Sequence, residues 1–360
     1  MKKKIAILPG DGIGPEVMTS AISVLDTIAE KFGHEFSYTH ALVGGAAYDV
    51  HQEHLPQVTI DLCNNCDAIL FGSVGGPVNA QHELKWANCE TKSILALRKN
   101  FNFNINLRKT EIYPELLALS PLKPELIKNG LNIIIFRELI GDIYFGEHYL
   151  GERDGKRFAS DIAQYDEEQI KSIANHAFKI AQNRGKNLVS VDKANVLATS
   201  KLWRQIVAEV ASEYPDVIYQ DMLVDNCAMQ IIRNPAQFDV ILTSNLFGDI
   251  ISDELSVLSG SLGMMPSASF SSSGLALYEP AGGSAPDIAG MDIANPIAQI
   301  LSASMMLAYS FNLHKEAKTI EIAIKDAIIN GYRTNDIALG LTHEKVVGTI
   351  EFTRQIIKAI

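Results

Sequence analysis

"FDVILTSNLFGDIISDELS", residues 238–256, sets a short apolar run directly against a segment that holds Asp249 and Asp253 four residues apart among mainly Leu, Ile, Phe, Gly and Ser. The first half reads as a buried strand and the second as a helix. On a helix, residues four apart share a face, close enough for one ligand to touch both acids. Acids near a helix start also suit the helix dipole and a face turned to water. The pair alone leaves both readings open.

The same strand-to-helix unit recurs outward along the chain. "KIAILPG" reads as a buried strand, and "PEVMTSAISVLDTIAEKFG" has apolar residues at helical spacing, with Pro15 in the first turn and Gly33 as a stop. "DAILFGS", "GLNIIIFRE", "LVSVDKA" and "PDVIYQDMLVD" are further strand-like runs, separated by helical segments such as "EEQIKSIANHAFKIAQNRG" and "KLWRQIVAEVASEYP". "PIAQILSASMMLAYSF" and "KEAKTIEIAIKDAIINGY" near the C-terminus are helical by period, and their Met and aromatic positions read as core. This alternation predicts an α/β fold with helices packed on a mostly parallel sheet. The Gly, Ser and Pro concentration in "SGSLGMMPSASFSSSG" (259–274) predicts a change of unit, and "NFNFNIN" (100–106) a weaker second break.

A chain of 360 residues with 47% apolar content is long enough for two ordinary domains or one large one, with a real core. The formal net charge of −11, with no basic run beyond the opening lysines, argues against a nucleic-acid or anionic-membrane surface. In "MKKKIAILPGDG" the apolar stretch before Gly10 is too short for a signal peptide or a membrane span. Together with four cysteines, Cys63, Cys66, Cys89 and Cys227, read as reduced thiols, this predicts a cytoplasmic protein. "CNNC" (63–66) lacks the second pair that a zinc site wants, and it precedes a strand where a redox motif would follow one.

Several motifs bear on chemistry. "LPGDGIGPE" (8–16) puts glycines between a strand and a helix, where a phosphate meets helix-terminal N–H groups. Its spacing is G-x-G-x-G, so the dinucleotide fingerprint G-x-G-x-x-G is not met, and the segment is equally a tight turn. "GSVGGP" (72–77) is as ambiguous. Arg98, Arg108 and Arg137 lie in largely apolar contexts ("ILALRK", "NINLRKT", "IIIFRELIG"). A guanidinium is costly to desolvate unless it meets an anion, and three suit a substrate with two carboxylates; each alone could serve an internal ion pair. Tyr144 in a glycine-flanked turn and Lys193 just past a strand are candidates for proton transfer, against default readings of a core tyrosine and a surface lysine. The loop "YEPAGGSAPDIAGMDIANP" (278–296) has no hydrophobic period. It lets backbone N–H groups approach a ligand closely, and Asp287 could accept hydrogen bonds from ribose hydroxyls.

Taken together, "ILPGDGIGPEV", "LRK", "NLRKTEIYPEL", "FREL", "IYFGE", "VDKANVL", "LVDNCAMQII", "TSNLFGDIISDE", "EPAGGSAPDIAG" and "RTND" resemble the metal-dependent decarboxylating dehydrogenases of β-hydroxy acids, the isocitrate/isopropylmalate dehydrogenase family. The resemblance spans essentially the whole chain. It implies an α/β fold of two domains around a cleft, not a Rossmann fold, with residues 1–103 and 260–360 forming an NAD-binding domain and residues 104–259 a substrate, metal and dimerisation domain. It implies Asp249 and Asp253 as ligands of Mg²⁺ or Mn²⁺, with Asp225 supplied across a homodimer interface.

By the same resemblance Arg98, Arg108 and Arg137 would hold substrate carboxylates, while Tyr144 and the second subunit's Lys193 would handle protons. Asp225 would also touch substrate. NAD would lie along Ile13, Glu90, Gly283, Ser284, Ala285, Pro286, Asp287, Ile288 and Asn295. The implied reaction is oxidation at C2, loss of CO₂ and protonation of C3. Similar isocitrate enzymes place polar groups in the stretch "SILALR", whereas Ile94 and Leu95 offer hydrocarbon to an isopropyl group; this implies 3-isopropylmalate as substrate and a place in leucine biosynthesis. Homoisocitrate, tartrate or malate-type enzymes and a noncatalytic regulatory subunit are the alternatives. Asp142 stands where the family commonly has glycine, and Gly282 where some members have histidine.

Overall fold

The computed structural model describes residues 1–360. In chain order its strands are β1 (Lys2–Gly10), β2 (Glu35–His40), β3 (Ala68–Ser73), β4 (Phe103–Ile112), β5 (Leu131–Glu138), β6 (His148–Arg153), β7 (Lys156–Asp161), β8 (Asn187–Asp192), β9 (Ile218–Leu223), β10 (Val240–Thr243), β11 (Pro266–Ser271) and β12 (Ala276–Pro280). The helices are α1 (Gly14–Phe32), α2 (Gly45–His51), α3 (Gln57–Asn64), α4 (Ala96–Asn100), α5 (Pro124–Ile127), α6 (Glu167–Gln182), α7 (Ala198–Ala211), α8 (Val224–Arg233), α9 (Asn245–Leu258), α10 (Ile297–Tyr309), α11 (His314–Ile329) and α12 (Thr349–Ala359).

Ten strands make one continuous sheet in the order β2-β1-β3-β12-β11-β4-β5-β10-β8-β9. The flanks are parallel, as the βα alternation predicts, and β12-β11-β4-β5 forms an antiparallel block at the centre. Residues 266–271, inside the Ser-rich stretch 259–274, form a central strand paired antiparallel on both sides, and the Asn106 amide donates to the hydroxyls of Ser267 and Ser269 across the β11–β4 register at 2.8 and 3.1 Å. Gly33 ends α1 in the left-handed conformation, its N–H bonded to the Ala29 carbonyl, as its position predicts.

Side chains alternate across a strand, and here the two faces meet different cores. Ile5 and Ile7, Ile134 and Phe136, Val240 and Leu242 face a cluster of 51 buried residues that runs under the whole sheet beneath α1, α6, α7, α10, α11 and α12. On the opposite face the cover is split. Ala6, Leu8 and Ile69 pack with Cys63 of α3 and Leu97 of α4, whereas Ile133, Ile135 and Ile241 pack with α8 and α9 through Cys227, Ile231, Ile251 and Leu255. Between these two apolar covers the central strands present Asn106, Arg108, Arg137, Ser267, Ser269 and Glu279, all buried and all polar. A polar gap between two hydrophobic caps positions the candidate site.

β6 and β7 form a separate hairpin that the sequence reading passed over. Its signal was the Asp154-Gly155 pair, both residues at positive φ, the requirement of a type I′ turn.

Candidate active site

Arg137, the last but one residue of β5, reaches into the gap with its side chain almost wholly buried. Its Nε and Nη2 donate to Asn245 Oδ1 at 3.0 and 2.8 Å, and its Nη1 bonds Asp249. Gly248 makes this contact possible, since a Cβ there would lie 2.6 Å from Arg137 Cγ. Arg108, on the neighbouring strand, donates through Nη1 to Ser252 Oγ at 2.7 Å and to Asp253 Oδ1 at 3.1 Å, and through Nε to Asn106 Oδ1 at 3.2 Å. Arg98, carried by α4, reaches Glu279 at 3.3 Å, and its buried Nε has no partner. Tyr144 donates its hydroxyl to Asp249 Oδ2 at 2.8 Å, with the Arg137 guanidinium 5.5 Å from its ring centre.

The opening pair thus shares one helix face, and that face meets cations. Asp249 is 36% exposed at the side chain and Asp253 64%, so both keep open oxygens. Burial works to raise the Asp249 carboxyl, but Arg137, the Tyr144 hydroxyl and Arg108 outweigh it and hold it below the ordinary carboxylate range. Burial raises the Tyr144 phenol, and its bond to Asp249 adds to the rise. Burial lowers Arg137, as does the neighbouring Arg108. Like charges held this close in a desolvated gap await an anion.

Lys193 and Asp225 pair with each other, at the end of β8 and the first turn of α8. The chain does not bring them to Asp249 and Asp253, and within it no three His, Cys, Asp or Glu side chains converge on a common point. Ile94 is buried in the small core beside α3 and α4, while Leu95 is half-buried on the π-helical turn Thr91–Leu95 that leads to Arg98.

The predicted cofactor segments come together. Ile13 N–H bonds the Ser284 carbonyl at 2.8 Å, and a Cβ at Gly12 would lie 1.9 Å from that same oxygen, so only glycine lets these two loops touch. The Asp11 carboxylate ties the turn down by accepting from the N–H groups of Gly45, Ala46 and Gly75 at 2.9, 2.8 and 3.0 Å. Glu90 approaches the same place beside Gly75. Beside the loops lies a cavity of 320 Å³ lined by Ile13, Gly283, Ala285, Ile288 and Asn295 of the predicted set. Ser284, Pro286, Asp287 and Glu90 flank it without lining it.

Sequence reasoning missed Leu262, Gln299 and Asp336, which also line the cavity. Asp336 belongs to the quoted "RTND" and accepts from Asn295 Nδ2 at 3.0 Å. Gln299 is fully buried, yet neither polar atom of its amide has a partner; a polar side chain within a helical apolar run was the available signal. It missed Asn245, Ser252 and Glu279 as partners of the arginines for want of any local pattern.

The sequence pattern of the isocitrate/isopropylmalate dehydrogenase family matches residues 4–356. A protein of Helicobacter hepaticus named 3-isopropylmalate dehydrogenase is 50% identical over 342 residues, 94% of each chain. One of that name from Heyndrickxia coagulans is 49% identical over all of this chain and 97% of its own. Among solved structures, isocitrate dehydrogenase from Methylococcus capsulatus superposes with a TM-score of 0.86 at 31% identity over 99% of both chains. A β-decarboxylating dehydrogenase from Thermococcus kodakarensis does so at 0.80 and 34% identity, over 99% of this chain and 96% of the other. The chain belongs to the isocitrate/isopropylmalate dehydrogenase family.

Proposed function

We propose that the chain catalyses the NAD-dependent oxidative decarboxylation of (2R,3S)-3-isopropylmalate to 4-methyl-2-oxopentanoate and CO₂, a cytoplasmic step of leucine biosynthesis. The observation that carries this is the polar gap, in which three buried arginines face two part-exposed aspartates, with half-buried Leu95 on the turn that leads to Arg98. The relatives' name supports the choice of substrate.

The residues fit the groups such a reaction needs. Asp249 and Asp253 offer the carboxylate oxygens that a hard Mg²⁺ or Mn²⁺ takes, and the depressed Asp249 carboxyl stays ionised to hold it. The cavity beside Ile13 and Asn295, with the unpartnered Gln299 amide in its wall, suits a nucleotide. Residues 1–103 and 260–360 would be the NAD-binding domain and 104–259 the substrate and metal domain. When bound, the ion would supply Lewis acidity and the nicotinamide a hydride acceptor.

Arg98, Arg108 and Arg137 grip the two substrate carboxylates and exclude water from between them. Lys193 takes the C2 hydroxyl proton. After CO₂ leaves C3, Tyr144 delivers its phenolic proton to that carbon. Burial and Asp249 keep the phenol protonated until then. Asp287, exposed at the cavity rim, suits a free ribose 2′-hydroxyl and repels a 2′-phosphate, hence NAD over NADP.

Lys193 and Asp225 would come from a second copy. Met229 and Ile232 of α8, Ile250 and Val257 of α9, and Leu150 of the β6–β7 hairpin are large apolar side chains left exposed, and a two-fold interface over them makes two shared sites. Absorbance at 340 nm tests the whole reading. With NAD, Mg²⁺ and 3-isopropylmalate, NADH and 4-methyl-2-oxopentanoate should form in equal amounts and stop with EDTA; no NADH would sink it.

A further inference from the structure

Helix α9 starts without help from its own N-cap residue. Ser244 stands at the cap position, yet its side chain caps nothing and its buried hydroxyl has no partner. The first helical N–H groups are satisfied from elsewhere. Asn245 N–H donates to the Tyr165 hydroxyl at 2.9 Å, and Leu246 N–H to Asp142 Oδ2 at 3.1 Å. The Tyr165 hydroxyl itself donates to that Asp142 oxygen at 3.4 Å.

Asp142 opens the short turn Asp142–Tyr144 at φ +66°, a left-handed conformation in which a glycine would be at ease. Its other oxygen accepts Ile143 N–H at 2.9 Å. One buried carboxylate therefore binds both the start of the Tyr144 turn and the start of α9. The two segments meet again one helical turn on, at the bond between Tyr144 and Asp249. Asn245, between them, clamps Arg137 through Oδ1 and the Gly141 carbonyl through Nδ2 at 3.2 Å. Glycine would accept the backbone but supply no acceptor for α9.

We propose that Asp142 is a positioning residue: with the Tyr165 hydroxyl it caps α9 from the Tyr144 turn, and so sets the Tyr144 phenol and the Asp249 carboxylate against each other and against Arg137. For what Tyr144 and Asp249 then do, this rests on the function proposed above. Burial pushes the Tyr165 phenol well above its ordinary range, with Glu138 and Asp142 adding to the rise, so its hydroxyl keeps the proton it donates.

Asp142→Gly removes the carboxylate and relieves the positive φ at once, isolating the cap from backbone strain. The loss of such a cap corresponds to about a tenfold effect. Expected are a kcat about tenfold lower, a KM for 3-isopropylmalate within about twofold of wild type, and Mn²⁺ binding, read by EPR of the free ion without substrate or cofactor, weakened about tenfold. Tyr165→Phe should move the same readouts in the same direction. Asp239→Ala is the structural control, since Asp239 holds Arg184 and Gly185 at the far end of β10; it should lower Tm yet keep kcat and Mn²⁺ affinity. Wild-type kcat and Mn²⁺ affinity in Asp142→Gly would overturn the proposal, as would equal losses in Asp239→Ala. Should Asp142→Gly fail to fold, Tyr165→Phe decides by the same measurements. Should the wild type not turn over 3-isopropylmalate, the function falls, and the Mn²⁺ titration still decides on Asp142.

Discussion

Lys193→Met and Asp253→Ala should each be inactive alone and should restore activity when mixed. In the structure Lys193 pairs with Asp225, whereas Asp253 belongs to the arginine gap, so the two variants damage different halves of a site proposed to form between copies. Losing the base costs roughly a hundredfold to ten-thousandfold, which puts Lys193→Met near background. Asp253→Ala removes an oxygen donor but leaves Arg108 its bonds to Ser252 and Asn106, so the fold should survive. If the copies unfold, mix equally and reassemble at random, about half the dimers are mixed. Each mixed dimer has one site with both residues intact and one with neither, so about a quarter of wild-type activity should return. NADH absorbance reads the activity, and co-purification through a tag on one variant reads the heterodimer. Heterodimers that form and stay as inactive as their parents would show that Lys193 acts within its own chain.

Three further outcomes follow from single side chains. Tyr144→Phe should impair overall turnover while partly sparing hydride transfer, so that NADH formation outruns release of the ketone in a single-turnover experiment; unchanged kinetics would remove Tyr144 from the reaction. Asp287→Lys should erode the preference for NAD over NADP in kcat/KM, and wild-type discrimination in that variant would refute the role of Asp287. Glu138 is buried with its carboxyl accepting from the N–H groups of Ile140 and Gly141, and burial pushes it from 4.5 up to about 7. A folded value above the unfolded one gives stability that is present below about pH 4.5 and lost as the pH rises through about 7, here about 3 kcal/mol. Denaturant titrations of Glu138→Gln should lack that decline, and an unchanged slope would contradict it.

Much of this was legible in the sequence because strands and helices announce themselves by period. The carboxylate pair of α9 stood out by its spacing, the three arginines by their apolar contexts, and the loops at 10–14 and 283–295 by their glycines and lack of period. What joins them was not legible. Asn245, Ser252 and Glu279 lie far in sequence from the arginines they hold, and only the sheet order brings them near. The strand inside the Ser-rich stretch at 259–274 was not legible, because turn residues dominate it and its partners in the sheet, β4 and β12, are set by the fold. Asp142 stood out only as a departure from the glycine common in the family; the N–H it accepts lies across the fold at Leu246.

The most direct test of the account is the ratio of kcat/KM for 3-isopropylmalate, isocitrate and malate, measured side by side with NAD and Mg²⁺. Burying an isopropyl group against the hydrocarbon near Leu95 is worth roughly 1.5 to 3 kcal/mol, which favours 3-isopropylmalate over malate by about ten- to a hundredfold. A third carboxylate in the same place would lose its water with no cation from Ile94 or Leu95 to meet it, so isocitrate should be the poorest of the three. Equal or better kcat/KM with isocitrate would contradict the account.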